Sequence, residues 1–391
     1  MFSNKISLTV ISLLISFTLS GFGTQIGLLI KPMSEQFGVE LTSASTQFSW
    51  YLGGILVGNI LSLVIYRYFK IKLVIITCYL AVFLLTLFMH FVPNFTTISF
   101  LLSFIGLACG VGVCASSTIL TEIWSEQKRG SLLVSQDALY NSGGMVFPFI
   151  TAYLLSSNFS WSIGYLVVAS ATLIIVILAL FTRFDFNVST NVSHDESTEW
   201  NIGLTVAGIS LFFAIICSLT PIIWLPVFLV EKFAITESIA SEIIPKIFLA
   251  GLIGSILSAF VVSKIKVQTF LIIVVVIGCI SLFTFASIES FKWVSYIAYA
   301  FGLAIAALYH SFMAWGLSYI KKPHYQHVTF MYLCGGIGGT IAPYVSSLIV
   351  DRAGITTVFI GCAILYGIIL LMMLTLQFKH KRNPIIEQKI A

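Results

Sequence analysis

Stretches of about 20 apolar residues, separated by short polar turns, recur along the whole chain. A helix rising 1.5 Å per residue needs about that length to cross a bilayer core of roughly 30 Å. Twelve such spans can be placed, at 6–30, 43–66, 73–92, 97–120, 131–156, 160–183, 201–230, 243–263, 267–288, 291–318, 325–350 and 355–378. The one long polar interruption is Arg183–Trp200, which carries Asp185, His194, Asp195, Glu196 and Glu199 and leaves six spans on each side. The pattern therefore predicts an all-α membrane protein of twelve transmembrane helices in two six-helix bundles. The first bundle is expected at 1–183, a linker at 184–200, and the second bundle with a short tail at 201–391. The first span stays apolar to Ile30 without a small-residue cleavage site, so it reads as an uncleaved helix.

Charge fixes an expected orientation. Of the 20 Lys and Arg residues, fifteen fall on one side if both termini are inside: Lys5, Arg67, Lys70, Lys72, Lys128, Arg129, Arg183, Lys264, Lys266, Lys321, Lys322, Lys379, Lys381, Arg382 and Lys389. Lys31, Lys232, Lys292 and Arg352 fall on the other, and Lys246 lies within a span. Basic residues are retained in the cytoplasm, so both termini are expected there and the chain in the bacterial inner membrane. The net charge of +5 thus reports topology, and no basic run suggests nucleic acid.

The two halves resemble each other. Gly143-Gly144-Met145-Val146-Phe147-Pro148 matches Gly338-Gly339-Thr340-Ile341-Ala342-Pro343 at an offset of 195. Gly106-Leu107-Ala108 matches Gly302-Leu303-Ala304, and Asn59-Ile60-Leu61-Ser62 matches Ser255-Ile256-Leu257-Ser258, both at 196. Three matches at one spacing, in three equivalent pairs of spans, indicate parallel repeats about an axis along the membrane normal. Two such bundles, rocking to open a midplane site alternately to each face, are the logic of a secondary transporter.

Twelve spans, a 6+6 repeat and a central loop are similar to the major facilitator superfamily over the whole chain. Arg129-Gly130-Ser131, Asp137, the Gly143–Pro148 element and Ala152-Tyr153-Leu154-Leu155 resemble the TsgA family, a branch near fucose-permease-like symporters. The resemblance implies proton-coupled uptake of a small solute. The segment between spans 2 and 3 reads Tyr66-Arg67-Tyr68-Phe69-Lys70 and lacks the superfamily's Asp and Gly. Fucose-type symporters carry acids in spans 1 and 4; here those spans offer Thr24, Gln25 and Gly110–Ala115, with no acid.

Asp137 is the acid that stands clearly inside a span, seven residues and so roughly 10 Å beyond Gly130. A carboxylate at that depth must be paired, hydrated or protonated. It is the candidate proton-coupling residue, or else a carboxylate holding a gate near the inner mouth. His310 could exchange protons near neutral pH or hydrogen-bond as a neutral ring, and Tyr309 precedes it. Gln25, Tyr140, Asn141 and Trp224 are neutral groups suited either to lining a wet cavity or to helix packing. Lys246, four residues after Glu242, is a candidate for an anionic solute or one half of a structural pair. Gly143, Gly144, Pro148, Gly338, Gly339 and Pro343 are candidate helix pivots, with tight packing the alternative.

Several chemistries find no support. The seven cysteines lie singly in apolar stretches, which suits packing better than disulfides or zinc. Neither a phosphate-binding G-x-x-x-x-G-K-[ST] loop, a zinc H-E-x-x-H helix nor a G-x-S-x-G elbow occurs, so no ATP motor, metal site, cofactor or enzyme is expected. The expectation is a monomer in the lipid bilayer that carries a small polar or organic solute by alternating access, coupled to protons by symport. An exporter or antiporter is the runner-up, and a transporter-like sensor the rival from another class.

Overall fold

The computed structural model describes residues 2–39, 41–91, 94–184, 200–235, 239–240 and 243–382. Glu242, the acids of the central loop and the last nine residues lie outside that set. The described residues are almost wholly helical and contain no strand. In chain order the helices are α1 Phe2–Thr24, α2 Ile26–Phe37, α3 Leu41–Tyr68, α4 Ile71–Phe91, α5 Phe95–Ile123, α6 Glu126–Ser156 and α7 Trp161–Phe181. They continue as α8 Ile202–Phe233, α9 Ile243–Val262, α10 Val267–Ser287, α11 Val294–Ile305, α12 Leu308–Leu317, α13 Tyr325–Ala353 and α14 Ile355–Arg382.

Among the described residues, eleven helices or helix pairs are long and apolar enough to cross a membrane. The remaining long helix is α6, which is diluted by Glu126, Lys128, Arg129 and Asp137. Its position matches the fifth sequence span. Large apolar side chains such as Phe181, Phe149 and Phe91 are more than 70% exposed, an arrangement water would not tolerate and lipid does.

Local chemistry sets the helix ends. Asn94 and Asn201 accept the N–H of Thr96 at 2.9 Å and of Gly203 at 2.7 Å, capping α5 and α8. Gly38 and Gly354 take positive φ where α2 and α13 end, which a side chain would resist. A lysine closes another helix from outside: Lys72 donates to the carbonyls of Leu180 and Thr182 at the C-terminal end of α7, each at 2.9 Å. Two spans that read as continuous in sequence are interrupted. The first breaks at Gln25, whose Nε2 takes the Gly21 carbonyl at 2.6 Å, the acceptor that a continuous helix would give to the residue-25 N–H. The tenth breaks at Ala306–Ala307, where Ala307 leaves helical geometry at φ −135° and ψ 24°.

By contact the chain groups into two compact units. The first comprises Met1–Ser125, Leu139–Thr198 and Pro323–Leu333; the second comprises Glu126–Ala138, Glu199–Lys322 and Cys334–Ala391. Each unit therefore includes a short segment from the opposite half of the sequence. These segments begin 197 residues apart (323 − 126) and end 195 apart (333 − 138), close to the repeat offset. Phe22, Tyr51, Trp161 and Tyr165 centre the core of the first unit. In the second, Phe359 packs on Phe228 at 4.6 Å and on Phe285 at 6.2 Å between ring centroids.

The repeat is also visible atom by atom. A Cβ on Gly143 would overlap the carbonyl oxygen of Phe17, and one on Gly338 that of Phe212; both pairs are related by 195 residues. A Cβ on Gly106 would overlap the Tyr51 carbonyl and one on Gly302 the Ile247 carbonyl, with both pairs related by 196. Glycine lets helix backbones approach where no side chain fits. The matched glycines are thus the seams of two similarly packed halves.

Candidate functional site

The break in the tenth span lies against Asp137. A continuous helix would bond the His310 N–H to the Ala306 carbonyl, but here that N–H donates to Asp137 Oδ2 at 3.2 Å. The other carboxylate oxygen, Oδ1, lies 2.7 Å from His310 Nδ1. Asp137, from the first part of α6, therefore caps the opening turn of α12, where Ala307 has no side chain able to do so. The positive end of the α12 dipole adds to the stabilisation of a carboxylate at this position. Both side chains are nearly buried, and both belong to the second unit.

The 2.7 Å contact requires a proton between the two side chains. Either imidazole Nδ1–H donates to a carboxylate, or the carboxylic acid donates to a bare ring nitrogen. Ser131, nearly two turns before Asp137, anchors the same stretch of α6 by donating to the Ala259 carbonyl of α9 at 3.0 Å. Gly130 faces Val267, Val262 and Ala314 closely enough that an added Cβ would press on Val267.

The other candidates are distributed. Tyr309 lies beside His310, and its ring fills the space over Gly335 of α13. Trp224 of α8 donates Nε1–H to Ser346 of α13 at 2.9 Å. Ser346 lines an apolar cavity of about 290 Å³ with Thr220 and Cys362. Lys246 donates to Ser295 at the start of α11 at 2.9 Å. Tyr140 and Asn141 follow Asp137 on α6 but fall in the part of that helix assigned to the first unit. Gln25 is fully buried there; besides its bond to Gly21 it accepts the hydroxyl of Thr151 on α6. Gln25→Leu is expected to cost about 1–3 kcal/mol of stability by leaving that hydroxyl buried without its partner, as thermal unfolding in detergent would measure.

Gly144 faces Ser20 and Thr24, and Gly339 makes ordinary contacts with Leu219 and Ile215. Pro148 lies within α6, and Pro343 falls inside α13. All seven cysteines are free thiols. Among the described residues no cluster of His, Cys, Asp and Glu could hold a metal. Sequence reasoning marked Asp137 and His310 separately, but neither their contact nor the helix break. It also missed a set of buried hydroxyl contacts in the first unit, Ser62 with Thr329 at 3.0 Å and Ser117 with Tyr332 at 2.7 Å. Serines and threonines at those positions look like ordinary helix residues until the fold pairs them.

Known proteins share this architecture. The profile of the Major Facilitator Superfamily matches residues 11–333. The chain is 24% identical over 385 residues to the TsgA homolog of Buchnera aphidicola subsp. Acyrthosiphon pisum (strain APS), covering 98% of this chain and 99% of that one. It is likewise 24% identical to the TsgA homolog of Serratia proteamaculans (strain 568), over 97% of this chain and 98% of that one. Among solved structures, FucP in the outward conformation superposes with a TM-score of 0.78 at 17% identity, covering 95% and 98% of the two chains. The proton:xylose symporter XylE superposes at 0.75 and 11% identity, covering 95% and 96%. These structural likenesses establish a common fold. An all-helical fold, a profile match across most of the sequence and full-length similarity to the TsgA homologs together place the chain in the Major Facilitator Superfamily, as a transporter of the TsgA type and not an enzyme.

Proposed function

We propose that the chain is a proton-coupled symporter of a small polar or organic solute, working by alternating access, with Asp137 as the proton carrier and His310 as its partner. The observation that carries this reading is the Asp137–His310 contact at the break between α11 and α12. It joins two residues from opposite sequence halves, and every bond in it depends on where protons sit.

The mechanism follows from those bonds. With one shared proton, the carboxylate binds the ring and the α12 N–H together. A second proton, taken up by the carboxylate, neutralises it, so the ring N–H and the α12 N–H both lose their anionic acceptor and the hold of α6 on α12 weakens. A solute offering an oxygen acceptor can then take the exposed N–H groups, linking solute arrival to proton arrival. The solved relatives FucP and XylE are described as a fucose:proton and a proton:xylose symporter, which supports a polar solute of similar size. Tyr309, Tyr140, Asn141, Gln25, Trp224 and Lys246 are proposed as groups the solute meets, and the paired Gly-Gly-x-x-x-Pro elements as pivots. The fifteen-to-four distribution of basic residues supports cytoplasmic termini in a bacterial inner membrane. The sequence halves 1–183 and 201–391 are proposed as the moving bodies, in a monomer.

Proteoliposomes with a trapped pH dye test this reading, challenged with pooled sugars, amino acids, carboxylates and organic cations. Inward proton flux with one pool, lost in Asp137→Asn, is the expected result. Outward proton flux on adding external solute would favour exchange. Equal solute movement by wild type and Asp137→Asn, with no proton signal, would overturn the coupling role.

A further inference from the structure

The approach to α13 holds a buried histidine that the proposed transport site does not use. His324 immediately precedes α13, and its carbonyl accepts the N–H of His327 at 3.0 Å and of Val328 at 3.4 Å. In return, Nδ1 of His327 accepts the backbone N–H of His324 at 2.9 Å. The second bond is the reach-back half of a capping box, in which the side chain of the third helical residue accepts the N–H of the residue before the helix. Glu or Gln ordinarily fills that third position. A histidine can do so only with an unprotonated Nδ1, because imidazolium is a donor at both nitrogens.

Two further features act in the same direction. His327 is 1% exposed, so a charge placed on it would be buried. It also stands in the first turn of α13, where the unpaired peptide N–H groups disfavour a cation. Protonation thus removes an acceptor, buries a charge and opposes the helix dipole together.

What the cap holds is the segment 323–333, which belongs to the first unit. Its Thr329 and Tyr332 make the hydroxyl contacts to Ser62 and Ser117, and Tyr325 packs edge-on against Tyr66 at 5.8 Å between centroids. The titratable or charged side chains facing the segment include Tyr66 and Arg67 on α3, Tyr79 on α4, and Cys114 and Glu122 on α5, beside the segment's own Tyr325 and Tyr332. Lys321, Lys322 and His324 lie on the segment's own approach. Glu122 is the one carboxylate in that set, and it is exposed in the last turn of α5.

We infer that His327 is a pH-responsive latch: the neutral ring caps α13 and keeps 323–333 docked on α3 and α5, and proton uptake on the ring loosens that segment. The latch is separate from the Asp137–His310 pair and operates without solute.

Backbone hydrogen exchange tests it, read by mass spectrometry on the chain in lipid nanodiscs at about pH 8 and about pH 5.5, on either side of the ordinary histidine range. Exchange times are scaled to the intrinsic chemical rate at each pH. Protection over 323–333 is expected to fall about fivefold in acid, the population shift of one lost cap. His327→Gln retains a capping oxygen but cannot titrate, so it should stay protected at both pH values. His327→Ala should be unprotected at both, and Asp137→Asn should keep the wild-type response. Three outcomes would overturn the latch: a wild type indifferent to pH, acid loss that persists in His327→Gln, or a response that disappears in Asp137→Asn. If His327→Ala does not accumulate, the glutamine variant alone decides.

Discussion

Gly106→Val and Gly302→Val are each expected to remove most folded protein from the membrane. A valine at either position must displace a facing helix backbone, Tyr51 of α3 for the first and Ile247 of α9 for the second. Backbone has no rotamer by which to retreat, and overpacking that shifts side chains and backbone costs about 1–3 kcal/mol for added methylenes, more where the clash is severe. The cost here should exceed that range. Gly53→Ala and Gly361→Ala meet open space and serve as controls. The measurement is the monodisperse peak in fluorescence-detected size-exclusion chromatography of a tagged chain. Near wild-type yields for both valine variants would mean that the seams are slack, and the matched packing of the halves would lose its main physical support.

The second large effect is expected at the Asp137–His310 pair. Asp137→Leu should destabilise the protein by roughly 3–5 kcal/mol, because it removes one partner of a buried, hydrogen-bonded pair and the cap of α12 together. Asp137→Asn should cost much less, since its amide can still accept the His310 N–H and donate to Nδ1. A thermal-unfolding cycle with His310→Gln and the double variant measures the coupling. Additive single and double effects would show that the two residues do not act as a pair. The asparagine variant separates the roles of the carboxylate: its fold should survive while proton flux is lost.

The legible part of this architecture is the part written in periodicity and composition. Lengths of apolar sequence located the helices within a few residues, and spacings of 195 and 196 recovered pairs of glycines that prove to share the same backbone contacts. The helix breaks were illegible for a physical reason. Neither Gln25 nor Ala306–Ala307 carries the Gly or Pro that signals an interruption. One break follows a side-chain amide competing for a carbonyl, and the other a carboxylate arriving from a distant helix. Asp137 announced itself as a charge where charge is costly, but nothing local could name its partner. The hydroxyl contacts around Thr329 and Tyr332, and the cap made by His327, combine common residues whose meaning is wholly positional.

The Asp137–His310 contact also has a consequence for how the chain is made. The two residues are 173 apart, and at about 5–20 residues per second a ribosome needs roughly 9–35 s to go from one to the other. During that interval α6, the least apolar of the long helices, must enter the bilayer with its carboxylate still awaiting the ring and peptide group that later receive it. The nascent first half is therefore an unfinished object whose most polar helix depends on water, lipid headgroups or an insertion chaperone for shelter. Translation pauses after α6 lengthen that exposure, and faster synthesis of α7–α11 shortens it. The cap of α12 by Asp137 can therefore form only after α12 itself has been made, late in the synthesis of the chain.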